Sequence, residues 1–277
     1  MQSLILGLVA ALLWGVHDFT VRRIGAKADA AALYLIVLAM GALLLAPFAA
    51  SAEGWQRLTP ALTLFCVGTG LVYALGVYAL YRAFAIGPVR LVAPICGAYP
   101  LLSVAIAVAQ GQHAGALVWL AVLAGIAVVA QGEKGAAQGG QAAAIAWAVL
   151  AAAGFAISFD LLHKAAQSVA DLPVALIARL AGFAGMLLWV VARRIPVRPA
   201  LAIWPTLLLM GALDVAGMFA VTAAGAFARP EFASVTSSCF GLVTILLAWR
   251  FLAEPMTRAQ WLGAAIVFAG VAALGLV

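Results

Sequence analysis

The feature that most limits how this chain can fold is the shortness of its polar breaks. Ten apolar runs follow one another, at about 2–22, 30–50, 62–85, 88–109, 114–132, 142–163, 172–192, 203–226, 230–252 and 258–276. A run of roughly 20 residues, rising 1.5 Å each, matches the ~30 Å hydrocarbon core of a bilayer. Inside that core every backbone N–H and C=O needs an internal partner, which a helix supplies. The loops are too short to hold a soluble domain. The expectation is an all-α polytopic membrane protein with ten transmembrane helices. Composition agrees: 67% of the residues are hydrophobic and 9% are charged, against about 25% charged in soluble domains. The lipid bilayer is therefore the first partner of this chain.

The net charge of +6 does not point to nucleic acid, because the basic residues sit in short loops and form no polar face. Cys66, Cys96 and Cys239 lie far apart inside apolar runs and match no metal spacing. They read as small buried hydrophobes. No Ser/His/Asp set, HExxH motif or phosphate-binding glycine loop occurs, so neither an enzyme nor a bound cofactor or metal is expected. The chain opens on MQS, without the basic region of a cleavable signal, and the first span is expected to stay in the membrane.

Lys and Arg orient the spans. One set of loops holds Arg22, Arg23, Lys27, Arg82, Arg90, Lys134, Arg193, Arg194, Arg198, Arg250 and Arg258; the opposite set holds Arg57, Lys164 and Arg229. The positive-inside rule puts the first set in the cytoplasm and both termini in the periplasm.

The two halves align without a gap at an offset of 142 residues. Asp18 falls on Asp160, Asp29 on Asp171, Arg22 on Lys164, Pro88 on Pro230 and Trp119 on Trp261. The chain has five aspartates, and four of them pair at this one offset. Each half carries five spans, an odd number, so the second half is expected to enter the membrane inverted. The division runs 1–132, a polar linker 133–141, and 142–277. Inverted repeats build alternating-access carriers, with a site near the midplane between the halves.

The segment RPEFASVTSSCFGLVTILLAWRFLAEPMTRAQWLGAAIVFAGVAAL, residues 229–274, resembles the end of an EamA repeat. Its pattern is a Pro-containing turn, a small-residue helix, a Glu at its end, then Gln-Trp-Leu-Gly opening the last span. ALLWGVHDF resembles the start of the first repeat. The likeness covers the whole chain as five-plus-five spans and points to the drug/metabolite transporter superfamily. Gln112 departs from the pattern, standing in the first copy where Glu254 stands in the second. Size and aromatic content are similar to bacterial amino-acid exporters, the aromatic type included. That resemblance implies export of small amino acids or related metabolites across a bacterial inner membrane.

Within spans, ionisable residues are few, and each costs about 2.5–3.5 kcal/mol at the membrane centre and less near an end. Asp18 lies about four residues from the end of its span, with Arg22 at i+4. Asp160 lies near the opposite face with Lys164 at i+4 and His163 at i+3. These read either as helix-end ion pairs or as a gate at each mouth. Asp29 and Asp171 read as helix caps. Arg179 and Asp214 lie at similar depth, either as a structural salt bridge or as holders of a substrate's carboxylate and ammonium. Most tryptophans lie near span ends, as an interfacial belt; Trp14, beside His17, is mid-span. Tyr99, Phe155 and Phe159 lie near the midplane. Tyr78 and Tyr81 share a face of the third span, with Tyr73 turned elsewhere. Ser237 and Ser238 belong to a small-residue stretch that permits close helix approach or offers hydroxyls to substrate. The expected function is export of small organic metabolites, amino acids leading, by a carrier that works as a monomer. A drug or nucleotide-sugar carrier is the alternative within transport. A membrane enzyme or lipid-binding scaffold is the alternative outside it.

Overall fold

The computed structural model describes residues 1–109, 138–227, 233 and 236–274. Among them every regular element is helical. In chain order these are α1 (Gln2–Ile24), α2 (Ala30–Ala50), α3 (Pro60–Ile86), α4 (Val89–Gly97), α5 (Tyr99–Ala109), α6 (Gln138–Ser168), α7 (Asp171–Ala192), the one-turn α8 (Arg198–Leu201), α9 (Trp204–Ala223), α10 (Phe240–Phe251) and α11 (Arg258–Leu274). Six of them, α1, α2, α3, α6, α7 and α9, are long and apolar enough to cross a bilayer. Three shorter apolar stretches, Val89–Ser103, Phe240–Phe251 and Arg258–Val271, add to these. The expected fifth span at 114–132, together with Gln112, lies outside the described residues.

Local chemistry sets the helix ends. Asp29 caps α2 as expected, its carboxylate accepting from the Ala31 N–H at 2.8 Å. Thr59 caps α3 by accepting from Leu62 N–H at 3.2 Å, with Pro60 in the first position. Thr257 and Gln260 form a reciprocal capping box ahead of α11, at 2.9 and 3.2 Å. This gives the glutamine of the Gln-Trp-Leu-Gly motif a physical role. Asp171 differs from expectation. It sits within the first turn of α7, and Ala170 precedes it with no side-chain cap. Its carboxylate therefore acts on the helix dipole rather than as a cap. α6 begins at Gln138, inside the expected linker, and carries Gly139 and Gly140 in its first turn.

The fourth apolar run is broken in two at Ala98, between Pro94 and Pro100. Pro100 lacks an N–H and its ring opposes the carbonyl four residues back, which favours a break or kink there. The ninth run shows a break at the corresponding place, with a turn at 238–239 before α10.

Packing follows the repeat. α1 lies against α9, and its counterpart α6 lies against α3. α2 packs on α9 as α7 packs on α3, α1 on α10 as α6 on α5, and α2 meets α7 directly. Exchanging the halves maps each of these pairs onto another, except α2–α7, which maps onto itself. Glycines allow the closest approaches: a Cβ on Gly76 would lie 3.1 Å from the Gly154 Cα, and one on Gly154 would lie 2.6 Å from the Gly76 Cα.

Candidate functional site

The crossing of α1, α2, α3, α6, α7 and α9 leaves a chamber of about 60 Å³ in the middle of the bundle. One side is polar. α1 contributes Trp14, His17 and Asp18, α2 contributes Tyr34, α7 contributes Arg179 and α9 contributes Asp214. The other side is aromatic: Tyr73 from α3, Tyr99 from α5, and Phe155 and Phe159 from α6. These rings brace one another. Phe155 and Phe159 stack at 5.9 Å, and Tyr99 meets Phe159 edge-on at 5.2 Å. Tyr73 lies about 6 Å from both phenylalanines.

The chamber continues into a larger cavity of about 250 Å³. Trp14, Leu38, Tyr73, Phe159, Arg179 and Asp214 line both spaces. The larger one runs out past Val221 and Thr222 to the exposed His163 and Asp171, at one end of the bundle.

The opposite end is tied together. The Arg22 Nε donates to one oxygen of Glu254 at 2.7 Å, and the Val89 N–H donates to the other at 2.7 Å. The Arg22 Nη1 donates to the Phe84 carbonyl at 2.8 Å, and Arg90 donates to the Pro255 carbonyl at 2.8 Å. This clamp joins the ends of α1 and α3 and the start of α4 to the loop between α10 and α11. It links the two repeats.

Several polar groups in the chamber have defined partners. Arg179 and Asp214 form a salt bridge with both side chains mostly buried, so the pairing inferred from depth is present. Gly41 makes room for it, since a Cβ there would collide with the guanidinium. The Trp14 indole N–H donates to the Asp214 carbonyl at 3.4 Å, and a Cβ on Gly217 would press on the indole at 2.6 Å. His17 Nδ1 lies 2.9 Å from Asp18 Oδ1, and the Tyr81 hydroxyl lies 3.2 Å from His17 Nε2. Nδ1–H donates to the carboxylate, and the Tyr81 hydroxyl, which can donate or accept, meets Nε2.

Several site expectations need correction. Asp18 does not pair with Arg22. The two share a helix face, but Asp18 is 4% exposed and is held by His17, while Arg22 lies nearer the helix end and reaches Glu254. Asp160 and Lys164 do pair, at 2.7 Å, on the exposed surface, so the symmetric sequence positions have unlike surroundings. His163 lines the mouth of the outer cavity and contacts Gln167 at 2.9 Å. Tyr78 lines neither space and meets Trp147 edge-on at 5.8 Å. Tyr81 supports His17 from outside the chamber. Ser237 and Ser238 are buried and line neither space.

Three residues escaped sequence reasoning. Tyr73 shares a helical face with Val77 and Leu80, at i, i+4 and i+7, and all three line the chamber. That spacing was visible, but the choice of face was not. Tyr34 sits in an unbroken apolar run, AALYLIVLA, whose only signal is a lone buried hydroxyl. Glu254 stood out as the acid of the repeat motif, but its partners come from distant parts of the chain.

The model of the EamA-like transporter family matches residues 1–130 and again 142–276. The chain belongs to the EamA-like transporter family. The two matches meet at the linker region and give one repeat to each half of this EamA-like protein. No curated protein matches it in sequence. A solved crystal structure is similar over 98% of this chain and 95% of its own, with a TM-score of 0.65 and 15% identity. At that identity the likeness speaks for the fold alone. As an EamA-like protein the chain is a multi-pass membrane transporter of the drug/metabolite transporter superfamily, and transport rather than catalysis is the activity this family carries.

Proposed function

We propose that this protein is a ten-span carrier of the bacterial cytoplasmic membrane that exports small organic metabolites, amino acids including aromatic ones, by alternating access. Its halves are 1–132 and 142–277, inserted with opposite orientation, and both termini face the periplasm. It acts as a monomer and needs no cofactor. One observation carries the reading. A central chamber opens through a continuous cavity toward His163 and Asp171, while the Arg22–Glu254 clamp ties the other end. A carrier caught in one of its two states has this asymmetry, and exchanging the conformations of the repeats would open the clamped end and shut the other. With the Lys/Arg-rich end in the cytoplasm, the state described is outward-facing. Substrate would bind between the aromatic wall and the Arg179–Asp214 pair, with Trp14 between the chamber and its outer cavity.

Liposome flux tests this. Purified protein should move at least one labelled aromatic amino acid, saturably, and Arg179→Ala should abolish the movement. Protein that moves neither an amino-acid mixture nor a panel of drugs would sink the carrier reading.

A further inference from the structure

The chain as a whole carries a charge of +6, yet its central chamber leans the other way. The charged residues lining it are Asp18, Arg179 and Asp214, with His17 beside them. Arg179 is taken by Asp214. His17 Nδ1 already engages one oxygen of the Asp18 carboxylate. Among the described residues no group bonds the second oxygen of Asp18. Among the described residues the outer cavity adds His163 and Asp171 at its mouth and no further Lys or Arg.

A second observation stands beside this. The Tyr34 hydroxyl is buried and has no hydrogen-bond partner among the described residues; its residue is 3% exposed and lines the same chamber. A buried hydroxyl left unpaired is costly, and such groups call for an explanation. Its ring is locked against Tyr81 at 5.3 Å, the residue that also reaches His17. Asp18, His17 and Tyr81 are thus linked through polar contacts, the Tyr34 ring packs on Tyr81, and the chamber they border is also lined by rings whose π-faces attract cations.

We propose that this corner binds a protonated amine, and that the chamber selects aromatic monoamines over carboxylates. The ammonium would donate to the spare oxygen of Asp18 and to the Tyr34 hydroxyl, while the ring of the ligand lies among Tyr99, Phe155 and Phe159. A ligand carboxylate finds no unpaired cation among the described lining residues. An amino acid is therefore read through its ammonium, and its carboxylate weakens binding rather than helping it. This assignment rests on the carrier reading above and narrows it.

Three compounds with the same ring and spacer separate the charges: 2-phenylethylamine, phenylalanine and 3-phenylpropionate. Binding is measured by calorimetry on the full-length protein in nanodiscs, and counterflow of labelled phenylalanine is measured in liposomes from the same preparation. The amine should bind tightest and the propionate weakest. Asp18→Asn should weaken the amine at least about tenfold, the size expected for a lost charge-assisted bond, and should weaken the propionate less. Tyr34→Phe should weaken the amine severalfold while leaving the melting temperature of the empty protein unchanged or higher, since it removes an orphaned hydroxyl; a lower melting temperature would mark Tyr34 as structural. Equal or tighter binding of the propionate, tighter binding of phenylalanine than of the amine, or no binding of any of the three would overturn the proposal. Counterflow that proceeds with the reversed order of affinity overturns this inference alone, whereas absence of all flux overturns the carrier reading.

Discussion

Replacing Glu254 by Gln should loosen the closed end of the molecule. The Glu254 side chain is 13% exposed and its partner Arg22 is 27% exposed. It accepts two hydrogen bonds at 2.7 Å, one from the guanidinium and one from the Val89 N–H. Charge-assisted bonds of this kind are worth about 1.5–3 kcal/mol each when buried, and partial exposure reduces that. Glutamine keeps one oxygen and can hold one of the bonds in neutral form. We predict a net loss of about 2 kcal/mol from the closed end, roughly a thirtyfold shift toward its opening. Val89 is fully buried and donates to Glu254 directly, so Val89→Cys places a nearly isosteric reporter at the clamp. With Cys66, Cys96 and Cys239 changed to alanine, maleimide labelling of that cysteine in detergent should speed up at least tenfold in the Glu254→Gln protein. Lys164→Ala is the control: its ion pair with Asp160 is exposed, worth less than about 1 kcal/mol, and labelling should not change. A labelling rate within a factor of two of the parent, in protein that melts at the same temperature, would refute the clamp as the closing element.

Three further outcomes follow from the packing. Gly41→Ala places a methyl group against the Arg179 guanidinium, so the Arg179–Asp214 pair should separate and flux should fall at least tenfold; unaltered flux would show that the pair tolerates displacement. Gly154→Val forces α6 away from Gly76 on α3, and thermal unfolding should show a destabilisation of about 1–3 kcal/mol, typical of overpacking; an unchanged melting temperature would mean that this contact is loose. A C-terminal reporter that is active only in the cytoplasm should stay silent if the Lys/Arg bias sets the topology, and a bright reporter would reverse the orientation.

Much of the architecture was readable because the membrane constrains it. The starts of α1, α2, α7, α9 and α11 fall within a residue of the expected spans, since in lipid an apolar run must satisfy its own backbone by folding as helix. The division of the chain near residue 140 was legible because both halves keep the same aspartates, and the two family matches fall on either side of it. The site was less legible. Asp18 and Arg22 illustrate why: i,i+4 spacing says that two side chains can meet, not that they will. Asp18 is held by its chain neighbour His17, which Tyr81 meets from α3, while Glu254 captures Arg22 from the loop after α10. Tyr78 and Tyr73 show the same limit. In a helix that is apolar on all sides, the hydrophobic pattern no longer tells which face looks inward.

The sequence by itself therefore determined the solvent, the helical class and the repeat. These depend on composition and order along the chain. Tertiary structure alone decided which polar residues meet. It brought Arg179 to Asp214, Glu254 to Arg22 and Val89, and the unpaired Tyr34 hydroxyl into the chamber with Asp18. The physical reason is that burial in lipid sets the depth of a residue by its position in a span, whereas its partner depends on the rotation and crossing of helices far apart in the chain.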